Sequence, residues 1–114
     1  MTQALLLIDL QNDFLPTGAL PVPHGDEVIS VANRLIDGFD LVVATQDWHP
    51  AGHGSFASQH PRHEVGEVID LDGLPQILWP DHCVQGSPGA EFAQQLRLPK
   101  SAHVCPKGTD TRID

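Results

Sequence analysis

Residues 4–9 read ALLLID, a continuous apolar run that ends in a carboxylate. This pattern predicts a β-strand covered on both faces. A similar run, LVVAT, occupies residues 41–45. Between them, apolar residues spaced i, i+3, i+4, i+7 and i+8 predict an amphipathic helix that Asp26 caps and Gly38 ends: Val28, Val31, Ala32, Leu35 and Ile36. This spacing predicts a βαβ unit with parallel strands and a right-handed crossover. A third short strand is predicted over residues 102–105, so we expect one α/β domain.

The rest of the chain predicts shorter elements. A polar segment over residues 46–63 is longer than an ordinary loop, and loops of that length tend to be functional. Residues 65–71 predict a short strand or hairpin arm. Ser87 and Pro88 predict the N-cap and first position of a second amphipathic helix, which Pro99 ends and whose apolar positions are Phe92, Ala93 and Leu96.

The composition excludes several classes of partner and location. Fifteen acidic residues against six basic ones give the 114-residue chain a net charge of −9, which argues against a nucleic-acid or anionic-membrane partner. The longest apolar run is far shorter than the roughly 20 residues that span a bilayer. No basic residue precedes that run, so no signal peptide is predicted. Without an export signal, we expect Cys83 and Cys105 to be reduced thiols in the cytoplasm.

Three ionisable residues follow the three predicted strands. Asp9 ends the first strand, Asp47 lies just beyond the second, and Lys107 lies just beyond the third. Open α/β sheets bind ligands outside the carboxyl ends of their strands, so these groups are expected to converge on one crevice. Asp9 is either a turn-capping residue or a buried carboxylate suited to proton transfer. Lys107 is either a solvated cation or the partner that keeps a carboxylate and a developing thiolate charged.

A second set of residues has the chemistry of a metal site. Asp47, His49 and His53 share the loop QDWHPAGHGSF, and His82 follows in WPDHC. One carboxylate and three imidazoles suit Zn²⁺ or Fe²⁺, and such binding weakens as pH falls through about 6.5. A chain with seven His also brings some together by chance. The other four are interpreted as surface or loop residues: His24, His60, His63 and His103.

Four motifs in order carry a resemblance that covers essentially the whole chain. They are LLLIDLQNDF, QDWHPAGHGSFA, WPDHCVQG and PKG. Together they resemble the nicotinamidase (pyrazinamidase) family of isochorismatase-like cysteine hydrolases. The resemblance implies a three-layer α/β/α fold with a mostly parallel sheet, and a metal-dependent amidase that converts nicotinamide to nicotinate and ammonia. Residues 1–114 resemble the N-terminal portion of one such domain, so the fold is expected to be incomplete in this chain.

The resemblance also assigns roles to individual residues. Asp9 resembles the catalytic aspartate that takes the proton from the nucleophilic thiol, and Lys107 resembles the lysine of the same triad. Phe14 and Trp79 resemble the aromatic walls of the pyridine pocket. The metal ligands of the family match four residues: Asp47, His49, His53 and His82. The implied ion is Zn²⁺ or Fe²⁺, with Mn²⁺ as a further candidate, and it orients the pyridine nitrogen.

The chain departs from the family at the nucleophile. The family's cysteine lies downstream in a TDxCV-like segment, and neither Cys83 nor Cys105 matches that position. We therefore expect no turnover from residues 1–114 alone, and activity only when the C-terminal half is present. Two alternatives stay open: a non-catalytic metal-binding module, and a related hydrolase of another small amide. The sequence also leaves a homo-oligomer open.

Overall fold

The computed structural model describes residues 2–114. These residues form five strands and one α-helix, in chain order β1 (Ala4–Ile8), α1 (Glu27–Ile36), β2 (Leu41–Asp47), β3 (Val68–Leu71), β4 (Leu74–Ile77) and β5 (His103–Lys107). The strands β1, β2 and β5 form a parallel sheet with β2 in the middle. This arrangement confirms the predicted βαβ unit and the third strand. Because all three strands run the same way, their carboxyl ends meet at one edge of the sheet.

Helix α1 buries a stripe that matches the predicted one only in part, since Ala32 and Ile36 are buried as predicted. The residues it packs into the core are Ile29, Ala32 and Ile36. The predicted positions Val28, Val31 and Leu35 are exposed instead. Six of the ten residues of this helix are apolar, so periodicity alone could not select the residues that meet the sheet. Asp26 precedes the helix as predicted, but within the described residues its side chain makes no capping hydrogen bond.

The two faces of the sheet differ in cover. Leu7, Val42 and Ala44 are buried in the core on the α1 side. On the opposite face of β1, Leu6 and Ile8 are 60% and 57% exposed. Residues 2–114 therefore form two of the three expected layers.

The prediction of a second amphipathic helix is wrong. Only Pro88–Ala90 forms a single 3-10 turn, which Ser87 caps by accepting a hydrogen bond from the backbone of Ala90. After this turn, Glu91 O accepts from the N–H of Asn12, and the N–H of Ala93 donates to Leu10 O. These bonds to the segment after β1 use backbone groups that a helix would need.

Further along the same segment, hydrogen bonds to a side chain of α1 replace the hydrogen bonds of a helix. The amide of Asn33 donates to Gln95 O and accepts from the N–H of Arg97. Ala93 and Leu96 are still buried in the core, as an amphipathic pattern requires. The hydrophobic pattern was therefore correct, but the backbone conformation was not helical.

The region of residues 65–71 forms one arm of a hairpin. Strands β3 and β4 pair in antiparallel fashion, and Asp72 and Gly73, both at positive φ, make the two-residue turn. In the polar segment over residues 46–63, residues 46 and 47 extend β2, and Ala57–Gln59 form a 3-10 turn. No helix in residues 2–114 combines the length and the apolar character needed to cross a membrane.

Candidate active site and metal centre

Lys107, the last residue of β5, joins the carboxylate that follows β1 to the carboxylate that ends β2. Its Nζ lies 2.9 Å from Asp9 Oδ2 and 2.5 Å from Asp47 Oδ1. In the sheet, Asp47 and Lys107 stand directly opposite each other on β2 and β5. The three groups expected at the strand ends are thus brought together at one edge of the sheet.

Asp9 is held in an uncommon backbone conformation. Its φ is 55°, in the left-handed region, which costs a non-glycine residue about 1–3 kcal/mol. Thr45 on the neighbouring strand holds Asp9 in this conformation through two hydrogen bonds. Its hydroxyl donates to Asp9 Oδ1 at 2.6 Å and accepts from the N–H of Asp9 at 3.1 Å. One carboxylate oxygen of Asp9 is thus fixed by Thr45, and the other is left for Lys107.

The charges at this edge stabilise one another. Burial by itself raises the pKa of Asp47, but the nearby His49 ring and the Lys107 ammonium group outweigh it and lower the pKa to about 2. Burial by itself lowers the pKa of Lys107, but its bonds with Asp47 and Asp9 outweigh that effect and raise the pKa. Lys107 is therefore a cation between carboxylates at neutral pH.

His49 and His82 present the same ring nitrogen to Asp47. His49 Nδ1 lies 2.7 Å from Gly108 O, and His82 Nδ1 lies 2.8 Å from Pro80 O. A carbonyl oxygen only accepts, so each Nδ1 carries the hydrogen, and in the neutral ring Nε2 has a free lone pair. These Nε2 atoms lie 3.5 Å and 3.8 Å from Asp47 Oδ2.

The arrangement of these three groups fits a divalent metal ion. One ligand atom from each of Asp47, His49 and His82 lies within 4.8 Å of the others, and all three residues are buried. His49 Nε2 is fully buried and has no hydrogen-bond partner among residues 2–114. A buried unpaired nitrogen is costly unless a ligand completes it. Histidines that bind a metal through one ring nitrogen commonly donate the other N–H to a backbone carbonyl, as His49 and His82 do.

His53 has a different environment from the other two histidines. Its Nδ1 accepts from the N–H of Ser55 at 3.1 Å and lies 2.8 Å from the Ser55 hydroxyl. Its Nε2 lies 3.1 Å from Ile113 O. His53 also shares a set of ligand atoms within 4.8 Å with His49 and Asp114, but it does not join the set that contains Asp47 and His82. Of the four predicted ligands, Asp47, His49 and His82 therefore form one group, and His53 lies beside it.

Two residues that the sequence interpretation left out hold the ligand loops, residues 48–56 and 79–83, in place. Gln11 is fully buried; it donates to Asp47 O and accepts from the N–H of Asp47, both at 2.8 Å. Asp13 Oδ2 accepts from the N–H of Cys83 at 2.7 Å, and Cys83 O in turn accepts from the N–H of His49 at 2.9 Å. Both lie in the LLLIDLQNDF motif directly after β1, a position that could have indicated their role.

The two predicted aromatic residues lie in different places. Phe14 lines a cavity of about 520 Å³ together with Asp9, and its ring centroid is 5.8 Å from that of His82. Trp79 does not line this cavity, and its backbone pairs with Ser55 and Ala57.

The two cysteines differ from each other and from an activated nucleophile. Cys83 is fully buried, and burial followed by the charges of Asp47, Asp13 and Asp9 raises the pKa of its thiol. A raised pKa disfavours the reactive thiolate. Cys105 lies exposed on β5.

Residues 3–109 match the family model described as the isochorismatase domain. The chain belongs to the isochorismatase family. Within it, the chain is 54% identical to the nicotinamidase of Escherichia coli over 98% of its own length and 54% of that protein. It is 34% identical to the nicotinamidase/pyrazinamidase of Mycobacterium tuberculosis, covering 96% of this chain and 53% of that one. The chain therefore spans about half the length of the curated relatives it matches.

Solved structures of the isochorismatase family agree with the fold. The nicotinamidase of Acinetobacter baumanii superposes with a TM-score of 0.92 at 45% identity, over 97% of this chain and 54% of that one. The pyrazinamidase of Pyrococcus horikoshii in complex with zinc superposes with a TM-score of 0.76 at 41% identity, with the same coverage. These matches confirm the predicted α/β fold with a mostly parallel sheet.

Proposed function

We propose that this chain supplies the metal centre and two catalytic residues of an amidase that converts nicotinamide to nicotinate and ammonia. The observation that carries the proposal is the bridge made by Lys107 between Asp9 and Asp47. This bridge links a carboxylate suited to proton transfer with a carboxylate suited to metal binding. The names of the relatives support the choice of substrate.

In this proposal Asp47, His49 and His82 hold one divalent ion, Zn²⁺ or Fe²⁺, with Mn²⁺ as a further candidate. When bound, the ion supplies positive charge that orients the pyridine nitrogen of the substrate. Gln11 fixes the backbone of Asp47 through two hydrogen bonds, which keeps the Asp47 carboxylate in position for the ion. Phe14 forms one aromatic wall of the substrate pocket beside Asp9. A second wall at Trp79 would lie outside the cavity that Phe14 lines.

Asp9 and Lys107 carry the proton chemistry. Asp9 takes the proton from an incoming thiol, so that the thiolate attacks the amide carbon, and the same proton then leaves on the amine as ammonia. Water afterwards cleaves the thioester to nicotinate. Lys107 compensates the negative charge of Asp9 and of the thiolate. Because Cys83 is buried with a raised pKa, we assign the thiol to a segment outside residues 1–114.

Ammonia release from nicotinamide tests the proposal. The 114-residue chain is expected to be inactive, and the same chain joined to the second half of the Escherichia coli relative is expected to be active. In the joined protein, Asp9→Ala should abolish turnover while the metal is retained, and Cys83→Ala should keep most of the activity. Turnover by the 114-residue chain that Cys83→Ala removes would contradict our assignment of the thiol.

The same joined protein separates the amidase from a non-catalytic metal-binding module. An inactive joined protein that still holds one metal ion per chain would favour the module. Metal content is measured by elemental analysis of protein purified without a histidine tag. His49→Ala should lose the ion, and equal metal content in this variant and its parent would contradict the site.

A further inference from the structure

We propose that His53 is a positioning residue of the metal centre and not one of its ligands. Its ring links residues 111–113 to the ligand loop at residues 48–56 and supports the ring of His49. This inference rests on the proposed metal site at Asp47, His49 and His82.

The hydrogen bonds of His53 fix the tautomer of its ring. The N–H of Ser55 points at Nδ1 from 3.1 Å, and a backbone N–H can only donate. Nδ1 therefore bears the lone pair, and the Ser55 hydroxyl at 2.8 Å adds a second donor. The ring hydrogen is then on Nε2, where it donates to Ile113 O at 3.1 Å. Neither nitrogen of His53 has a lone pair left for a metal ion.

This state is the reverse of the one in His49 and His82. Those two rings carry their hydrogen on Nδ1, against the carbonyls of Gly108 and Pro80, and they direct Nε2 at Asp47. To become a ligand through Nε2, His53 would have to place a hydrogen on Nδ1, facing the N–H of Ser55. Two donors would then point at each other, so the local backbone opposes the ligating tautomer.

The bonds of His53 close the segment after β5 over the metal centre. Next to the bond to Ile113 O, the N–H of Gly54 donates to Thr111 O at 2.8 Å. A side chain at position 54 would lie 2.6 Å from that same oxygen, so the close approach needs glycine. At the other end of the segment, Gly108 O accepts from His49 Nδ1. The segment is thus fastened to the ligand loop at both ends.

His53 also packs directly against a proposed ligand. Its ring centroid lies 4.4 Å from that of His49, and both residues are fully buried. Loss of the His53 ring would open a cavity behind His49 and release the segment that supplies the carbonyl of Gly108. His49 would then lose both its packing and the acceptor that fixes its tautomer. Losses of this kind typically weaken metal binding about 10–100-fold without removing a ligand.

Variants at position 53 separate the two bonds of the ring. His53→Asn keeps an acceptor for the N–H of Ser55 but is too short to reach Ile113, whereas His53→Gln places a donor near the position of Nε2. We expect zinc affinity, measured by chelator competition, to fall about 10–100-fold in His53→Ala and His53→Asn, and to recover in His53→Gln. His63→Ala is the matched control, because His63 is a half-exposed histidine that pairs with Glu67.

Two further measurements distinguish a positioning role from ligation. The visible absorption spectrum of the cobalt-loaded chain should be the same in His53→Ala as in the parent, because the ligand set is unchanged. Nitrogen-15 NMR of the metal-free chain should show His53 with its hydrogen on Nε2, and this readout does not depend on the metal. A changed cobalt spectrum, a hydrogen on Nδ1 of His53, or parent-like zinc affinity in His53→Ala would each overturn the inference.

The His49→Ala variant keeps the two proposals apart. If His49→Ala loses the metal and His53→Ala keeps one ion per chain, both proposals are supported. If both variants lose it completely, His53 is a ligand and only the present inference fails. If His49→Ala keeps the metal, the proposed metal site fails. The NMR measurement still tests separately whether the ring hydrogen of His53 is on Nε2.

Discussion

The ligand loops and the open face of the sheet are opposites in chemistry and in burial. The loops are polar and irregular, yet side chains within and beside them are fully buried: Gln11, His49, His53 and Ser55. The open face is apolar and regular, yet Leu6 and Ile8 on β1 are largely exposed. The usual relation between polarity and burial is therefore reversed between these two regions.

Hydrogen bonding explains why the polar region can be buried. Gln11 makes three hydrogen bonds to backbone groups, and both nitrogens of His53 have partners. Within residues 2–114, the buried side-chain atom without a partner is His49 Nε2, which we assign to the metal. The open face shows the converse, since apolar strands gain stability only when another layer covers them. Burial in this chain thus follows the pairing of polar groups as much as hydrophobicity.

The two cysteines give the largest expected contrast between these regions. Cys83 lies in the ligand loops and is fully buried with a raised pKa, while Cys105 is exposed on β5. We expect Cys105 to react with a thiol reagent at least about 1,000-fold faster, because Cys83 reacts only after local opening. The two rates can be measured with Cys83→Ser and Cys105→Ser variants. Comparable rates would show that the ligand loops are not closed in solution.

Two neighbouring leucines on β1 test the contrast between the faces of the sheet. Leu7 is buried under α1 and Leu6 is exposed. Leu7→Ala should lower the free energy of unfolding by about 3 kcal/mol, whereas Leu6→Ala should lower it by less than about 1 kcal/mol. Denaturant unfolding of the 114-residue chain measures both values. Equal losses that grow with protein concentration would instead indicate that a second copy covers the open face.

Two glycines at positive φ test how closely the segment after β5 fits the metal centre. A Cβ at Gly108 would lie 2.5 Å from the His49 ring, whereas a Cβ at Gly73 would meet no atom within 4 Å. Gly108→Ala should destabilise the chain by about 2 kcal/mol or more, and Gly73→Ala by about 1 kcal/mol. Only Gly108→Ala should also weaken zinc binding. Identical zinc affinity in the two variants would contradict the support that Gly108 gives to His49.

The pH dependence of zinc binding gives a smaller effect. Burial lowers the pKa of His49, but the Asp47 carboxylate and the Gly108 carbonyl outweigh it and raise the pKa above its usual range. Below that pKa a proton occupies the nitrogen that would hold the metal. Zinc affinity should therefore fall about tenfold per pH unit as pH falls through the pKa of His49. Chelator competition at several pH values measures this slope, and a flat profile would exclude His49 as a ligand.

Local patterns predicted the framework and the positions of the main charged residues. The apolar runs and the helical spacing between them gave β1, α1, β2 and β5. Parallel strands have their carboxyl ends at one edge, so the meeting of Asp9, Asp47 and Lys107 followed from topology. The hairpin was predicted only as one arm, although the dipeptide Asp72-Gly73 is a strong turn signal.

Tertiary contacts decided three features: the buried face of α1, the conformation of the segment after Ala90, and the tautomer of His53. The pattern of α1 allows more than one buried face, and contact with the sheet selected the stripe with Ile29. The residues after Ala90 do not form a helix, because their backbone groups form hydrogen bonds with Asn33 and with the segment after β1 instead. Sequence spacing could not separate His53 from His49, because the tautomer of each ring depends on which backbone group lies beside Nδ1. The sequence by itself therefore determined the elements and the ligand types, while only the tertiary structure decided which polar groups are already paired.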